Sequence, residues 1–364
     1  DREKLREGLA IAATVIPTKS PKPVLENIYL VASDEGLELA GTDLEVSLRY
    51  RIPDAEVEVI EPGTAVVPAR VTSDFVRDLT GDRVSLETHD GNCVIESGTD
   101  RCELVTVDPD EFPVIPRFGD EKTLTMQGGQ FMRLVGHTAF AAAREAGRYA
   151  MHGVLTEVED GVLKMVATDG RRLALSSCPV ESPPELPPSV IVPTKGMQLF
   201  GRGISDPLEL IHLQFGENQI GMKTSNAEMF ARLVDGEYPR YAAVIPASTQ
   251  HSIELDAVSL TKKIRLVANV AGDEARAVKL NFSGDKLDLS GHSAGRGQAA
   301  AQMAADGGES LDAEIAFNPD YVLDGLKHSE HETLRLEFDE KTSPGKFRLG
   351  ENFIYIVMPI TVDV

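Results

Sequence analysis

Two short acidic turns are the segments of this chain best suited to chemistry. Gly41-Thr42-Asp43-Leu44-Glu45, with two carboxylates, and Ala167-Thr168-Asp169-Gly170-Arg171-Arg172, with one, could together hold a metal ion or share a proton. A metal-dependent hydrolase using Asp43, Glu45 or Asp169 would need them in one cavity. They occupy equivalent places in different copies of a repeat, and such places lie more than ~20 Å apart at domain scale. The favoured reading is an Asx-type turn, whose carboxylate accepts nearby backbone N–H groups. His328-Ser329-Glu330-His331 sets two imidazoles at i, i+3 with no third ligand nearby, so a helix cap or solvent exposure is favoured over zinc. The chain has no P-loop, no dinucleotide fingerprint and no paired Cys-x-x-Cys, and no Gly-x-Ser-x-Gly nucleophile elbow is expected. No catalysis, metal or cofactor is predicted.

The elements that must position these turns are written three times. Asp1-Arg2-Glu3-Lys4-Leu5 and its continuation to Ala13 return from Gln127 to Ala139 and from Asp256 to Ala268, each with apolar residues at i, i+4 and i+8 of one helical face. Val66-Val67-Pro68, Ile191-Val192-Pro193 and Ala316-Phe317-Asn318 each run a short apolar strand into a capped or proline-started helix. Asp110-Glu111-Phe112-Pro113, Gly236-Glu237-Tyr238-Pro239 and Tyr355-Ile356-Val357-Met358-Pro359 close the three units. Repeats of this length are duplicated domains, since solenoid repeats run to only ~20–50 residues. The boundaries are expected at 1–119, 120–248 and 249–364. Between the helices, alternating strands meet at Asp160-Gly161 and Gly284-Asp285, which are hairpin signals. Each unit therefore reads as α+β, two helices packed on antiparallel sheet. The proline-rich segment 179–188 is read as a stiff loop inside the middle unit.

Composition bounds the function. With 42% hydrophobic and 26% charged residues the chain is an ordinary globular one, and no apolar run approaches the ~20 residues that cross a bilayer. No signal-peptide pattern is seen, and Cys93, Cys102 and Cys178 sit in strand-like segments, which suits buried thiols in a reducing cytoplasm. A net charge of −22 argues against nucleic-acid binding taken alone. The positive charge is gathered on the helices and the loops after them, at Arg2, Lys4, Arg6 and Lys19, at Arg133, Arg144 and Arg148, and at Lys262, Lys263, Arg265 and Arg276. Arg70, Lys195, Arg202 and Lys327 add to it. These could be solvated faces balanced by neighbouring acids, or a lining for a phosphate backbone. The apolar stretch Tyr355–Val362 is either the last core strand or a surface that something covers, and Leu173, following Arg171 and Arg172, suits an apolar pocket with basic edges that docks a peptide carrying Leu or Phe with a carboxylate or glutamine.

These motifs resemble a known family in order and spacing over essentially the whole chain. Ala167-Thr168-Asp169-Gly170-Arg171-Arg172-Leu173-Ala174, the Gly41–Glu45 turn, Phe317–Asp324 and Tyr355–Pro359 are similar to signatures of the bacterial DNA polymerase III beta subunit, the sliding clamp. The resemblance implies a non-catalytic processivity factor, a head-to-tail homodimer whose six domains encircle double-stranded DNA without reading its sequence. It also implies partners: the replicative polymerase alpha subunit, the clamp loader, and mismatch-repair, ligase and translesion polymerase proteins bearing short motifs.

Residue by residue, the resemblance assigns a partner pocket to Met151, Thr168, Gly170, Arg171, Arg172, Leu173, Pro239, Val244, Asn318, Tyr321, Val357, Met358, Pro359 and Ile360. It assigns a DNA-facing role to Lys19, Arg144, Arg148, Tyr149, Lys195, Arg202 and Arg276, and the dimer interface to Cys102 and Leu104 against Asn269 and Val270. A short strand ahead of Asp1 is also implied. Ala242-Ala243 stand where the family often has a basic residue, and Ala275 where an aromatic can wall the pocket, which implies a wider or less charged pocket. A non-DNA assembly of repeated domains is the alternative to a clamp, with the hydrolase behind it.

Overall fold

The computed structural model describes residues 1–364 apart from 120–122, 146, 148, 182–185, 188, 272–275, 294, 308–310 and 362–364. The proline-rich loop and Ala275 therefore fall largely or wholly outside the described residues. Among the described residues six α-helices come two to a repeat: α1 (Arg2–Ala12), α2 (Ala69–Asp78), α3 (Gly128–Thr138), α4 (Thr194–Arg202), α5 (Ala257–Ala268) and α6 (Pro319–Leu326). Their starts are locally encoded. The Asp1 carboxylate accepts from Lys4 N at 3.0 Å, that of Asp256 from Ser259 N at 2.7 Å, and Asn318 Oδ1 from Asp320 N at 2.9 Å. The repeated apolar stripe points inward at Leu5 and Leu9, at Phe131, Val135 and Ala139, and at Leu260, Ile264 and Ala268. Ala13 is the exception, because α1 ends one residue before it and Ala12 is buried instead.

Two eight-stranded antiparallel sheets are each shared between successive repeats. The first runs Gly63–Pro68, Asn27–Ser33, Gly36–Thr42, Val46–Pro53, Ala227–Arg232, Gln219–Lys223, Leu210–Phe215, Leu124–Gln127. The second runs Ser189–Pro193, Gly153–Glu159, Val162–Thr168, Arg172–Pro179, Phe353–Val357, Gly345–Gly350, Thr333–Phe338, His251–Asp256. In both, the third strand of one repeat's set pairs with the last strand of the next repeat. Among the described residues two smaller sheets remain: Gly297–Ala304, Lys286–Ser293, Val278–Ser283, Asp312–Phe317, and Ser85–His89, Asn92–Ser97, Asp100–Val105. By packing, the chain forms two compact units, one of Asp1–Met132, Val180–Pro187 and Lys195–Leu233, the other of Arg133–Pro179, Pro188–Thr194 and Val234–Val364. Each unit holds one large sheet and one small one.

The hairpin turns follow the local chemistry. Asp160 and Gly161 both take positive φ, 51° and 73°, which fits a two-residue type I′ connection. At the first acidic turn Leu44 sits at φ 77°, where the middle repeat has Gly170 at 83°. A side chain in that left-handed region costs on the order of 1–2 kcal/mol, offset in part by the freedom glycine loses on folding. Leu44 is half exposed, so little packing is lost on truncation. Leu44→Gly is expected to stabilise the protein by about 0.5–1 kcal/mol, read as a higher urea midpoint at unchanged m-value.

Candidate functional site

The acidic turn of the middle repeat is a backbone device. Asp169 Oδ1 accepts from Arg171 N at 2.9 Å and Arg172 N at 3.0 Å, while Thr168 Oγ1 donates to Arg172 O at 2.6 Å and accepts from Gly170 N at 3.1 Å. Asp43 does the same for Glu45 N and Val46 N at 3.0 and 2.8 Å. Both carboxylates therefore make Asx turns, as the sequence suggests. Asp43 is also engaged by the Lys195 ammonium.

The turn sends its two arginines in opposite directions. Arg171 lies at the surface and reaches Tyr321 Oη at 3.5 Å. The Arg172 side chain is only 10% exposed, with Nε 3.1 Å from Asp169 Oδ2, one terminal nitrogen 2.8 Å from Asp324 Oδ2 and the other 3.0 Å from Phe140 O. Its guanidinium stacks over the Tyr321 ring at 4.9 Å. Burial works against its charge, but the hydrogen-bonded Asp324 and the nearby Asp169 outweigh it and hold Arg172 protonated. Burial likewise acts to raise the Asp324 carboxyl, yet Lys327 and Arg172 bring it below the usual range.

Beside this turn opens a cavity of about 270 Å³. Met151, Leu173, Pro239, Val244, Ile356 and Met358 form its apolar wall, completed by Tyr149, Thr168, Gly170, Arg172, Arg240 and Tyr241. Leu173 and Ile356 are cross-strand partners at its floor, backed by Ala150, Leu155, Val166 and Ile191. Of the pocket residues assigned from sequence, Met151, Thr168, Gly170, Arg172, Leu173, Pro239, Val244 and Met358 meet here. Arg171, Asn318, Tyr321, Val357, Pro359 and Ile360 do not line the cavity. Asn318 caps α6, Tyr321 lies under Arg172, Val357 is buried, and Ile360 N donates to Ala316 O at 2.8 Å. Ile356, Arg240, Tyr241 and Tyr149 complete the wall without having been assigned to it. Strand periodicity carries the signal for Ile356: neighbours in a strand face opposite sides, so Ile356 and Val357 cannot both face the cavity.

The basic residues divide into paired and unpaired. Arg2 and Arg6 meet Glu3, Lys4 meets Glu7, Arg70 meets Asp74, Arg133 meets Glu330, and Lys327 meets Asp324. Among the DNA-facing assignments, Lys195 pairs with Asp43 and Arg276 with Asp320 at 3.2 Å, Tyr149 lines the cavity, and Arg148 lies outside the described residues. Lys19, Arg144 and Arg202 are exposed and, among the described residues, make no ion pair. Of the interface assignments, Cys102 and Leu104 lie on Asp100–Val105, with Leu104 only 7% exposed and its neighbour Val105 74% exposed. Asn269 is exposed and Val270 half-buried just after α5.

Other chemistry-bearing groups are spoken for. Among the described residues no three His, Cys, Asp or Glu side chains converge as a metal site. His328 is half-buried and stacked on Phe140 at 4.7 Å. Cys93 and Cys178 are buried, and burial pushes the Cys93 thiol up to about 11. Residues 291–295 do fit Gly-x-Ser-x-Gly, contrary to the expectation of no nucleophile elbow by pattern. Ser293, however, ends the strand Lys286–Ser293 in an antiparallel hairpin and not a strand-to-helix elbow. No helix among the described residues is long and apolar enough to cross a membrane.

Three family models match in order: DNA polymerase III beta subunit, N-terminal domain over residues 1–116, central domain over 125–240 and C-terminal domain over 242–361. The chain belongs to the bacterial DNA polymerase III beta subunit family, the sliding clamps. It is 31% identical to the beta sliding clamp of Pseudomonas putida, covering 99% of this chain and 98% of that one. It is 28% identical to that of Bacillus subtilis, with the same coverage. The crystal structure of DNA polymerase III subunit beta from Pseudomonas aeruginosa superposes with a TM-score of 0.93 at 28% identity, over 99% of this chain and 98% of that one. The Bacillus subtilis sliding clamp gives 0.94 at 27% identity, over 100% and 98%. The three-repeat clamp architecture expected from the sequence is thus shown, and its function is that of a sliding-clamp processivity factor, not an enzyme.

Proposed function

We propose that two copies of this chain close head to tail into a ring around duplex DNA and hold replication and repair proteins through peptides seated in the 270 Å³ cavity. The observation that carries the ring is the pair of incomplete sheets. Successive repeats join a four-strand set through its third strand to the next repeat's last strand, as Val46–Pro53 joins Ala227–Arg232. The third repeat offers the equivalent strand, Gly297–Ala304, with an open edge, and the first repeat offers Asp100–Val105 likewise. Pairing these edges between two copies repeats the existing rule and removes both exposed edges. Cys102, Leu104, Asn269 and Val270 then belong to the joint, with Val105 as its exposed apolar side chain.

In this reading Lys19, Arg144, Lys195, Arg202 and Arg276 face the phosphates, and Arg148, which lies outside the described residues, is assigned with them from the sequence alone. Contacts so few and solvated suit a sliding ring, because they hold charge without fixing register. The apolar cavity suits an anchor residue of a short motif from the polymerase alpha subunit, clamp loader, mismatch-repair, ligase or translesion polymerase proteins. A Pseudomonas aeruginosa sliding clamp has been solved bound to griselimycin, which supports a ligand-binding surface on this fold. The test is retention on nicked circular DNA after loading by a compatible clamp loader, with dimer mass measured in parallel. Retention on circles and loss on linearisation are expected, and Arg144→Glu with Arg202→Glu should shorten retention severalfold. Equal retention on circles and linear DNA would overturn the ring; wild-type retention by the double variant would overturn the DNA-facing set.

A further inference from the structure

We infer that Arg240 makes the cavity selective for peptides that present a carboxylate beside their apolar anchors. The inference rests on the peptide-pocket reading above. Among the described residues the wall of the cavity contains no carboxylate, and its polar groups are nearly all occupied from within the protein. Thr168 Oγ1 is held between Arg172 O and Gly170 N, and Tyr241 Oη donates to Glu157 Oε2 at 2.5 Å. The charge of Arg172 is answered by Asp169 and Asp324.

Arg240 differs from all of these. It is exposed, lines the cavity, and among the described residues has no ion pair and no side-chain hydrogen bond. On a chain of net charge −22 it stands as an unanswered cation at the edge of an apolar surface. An occupant that fills the apolar wall brings its flanking groups against this guanidinium. A carboxylate there gains a charge-assisted contact, and an ammonium meets like charge with no acid among the described wall residues to compensate. The sequence expectation of a less charged pocket, drawn from Ala242-Ala243, is thus met by a cation two residues earlier. The carboxylate could come from an Asp or Glu side chain or from a peptide's own C-terminus, and both present the same pair of oxygens.

The experiment is a fluorescence-anisotropy titration of the full chain with four labelled peptides sharing one Leu/Phe anchor. One is neutral and C-terminally amidated, one amidated with an added Asp, one amidated with an added Lys, and one neutral with a free C-terminus. The wild type is expected to bind at least one carboxylate-bearing peptide about fivefold more tightly than the neutral amide, and the Lys peptide more weakly. Which of the two carboxylate peptides gains identifies the source. Read as the ratio of carboxylate-peptide to neutral-amide affinity within each protein, the preference should vanish in Arg240→Ala, reverse in Arg240→Glu and persist in part in Arg240→Lys. Equal binding of the neutral and both carboxylate peptides by the wild type, or a preference that survives Arg240→Ala, would overturn the selectivity and leave the pocket standing. No binding by any peptide would overturn the pocket reading, and the inference with it.

Discussion

Arg172→Ala is expected to destabilise the protein by about 3 kcal/mol and to weaken anchor-peptide binding at least tenfold. Removing one partner of a buried charge cluster typically costs ~3–5 kcal/mol, because the remaining charges lose their compensation. The lower end applies, since Asp324 is one-third exposed and keeps Lys327 at 2.6 Å. The binding loss has a geometric origin. Arg172 and Leu173 are cross-strand neighbours of Val357 and Ile356, so loosening the turn disturbs the Leu173–Ile356 floor of the cavity. Arg172→Lys should recover little of either effect. The guanidinium satisfies Asp169, Asp324 and Phe140 O in three directions at once, and an ammonium on a flexible stem cannot reproduce that fork. Urea unfolding combined with peptide titration checks this. Wild-type stability of the alanine variant would mean that the cluster contributes no net stabilisation.

Lowering the pH from 7 to 4.5 is expected to remove most of a ~3 kcal/mol contribution through His137 alone. This side chain is buried, stacked on Phe353 at 4.2 Å, and shares a hydrogen bond with Ser176 Oγ at 3.0 Å. Burial, then His328 and Arg133, push its pKa down from 6.5 to about 4. Glu330 lies 3.7 Å away and favours the protonated form, but it also faces Arg133 at 3.6 Å, and burial prevails. The unfolded chain takes up a proton near 6.5 that the folded protein refuses until about 4. The contribution is therefore complete above pH 6.5, falls as pH drops below it, and is exhausted near 4. His328, lowered chiefly by burial, acts in the same sense. The carboxylates held below their ordinary values, Asp324 and Glu337 among them, lose their contribution only at lower pH. His137→Gln keeps a partner for Ser176 and removes the titration. Its stability should change less between pH 7 and 4.5 than the wild type's by 2–3 kcal/mol, whatever its value at pH 7. An unchanged pH slope in that variant would assign the acid sensitivity to other groups.

Features that depend on neighbouring residues are legible in the chain itself. Asp1, Asp256 and Asn318 cap helices through N–H groups two or three residues away, and Asp43 and Asp169 close turns over the same distance. Such contacts are legible because spacing along the chain fixes their geometry. The threefold repeat was legible for the same reason, and with the resemblance it led to the clamp family.

The folded chain set how the repeats share sheets, since the strand that completes each set comes from the next repeat. It also decided that Arg172 turns inward while Arg171 stays outside, and that Ile356, not Val357, faces the cavity. The turn-to-helix ion pairs make the reason plain. Asp43 meets Lys195 and Arg172 meets Asp324, both across 152 residues, with the acid on the turn in one case and on the helix in the other. Local patterns carry no information about which distant charge will answer a given one. That is settled when strand register and helix placement bring two segments together, and for the buried Arg172 the lost hydration then makes the pairing compulsory.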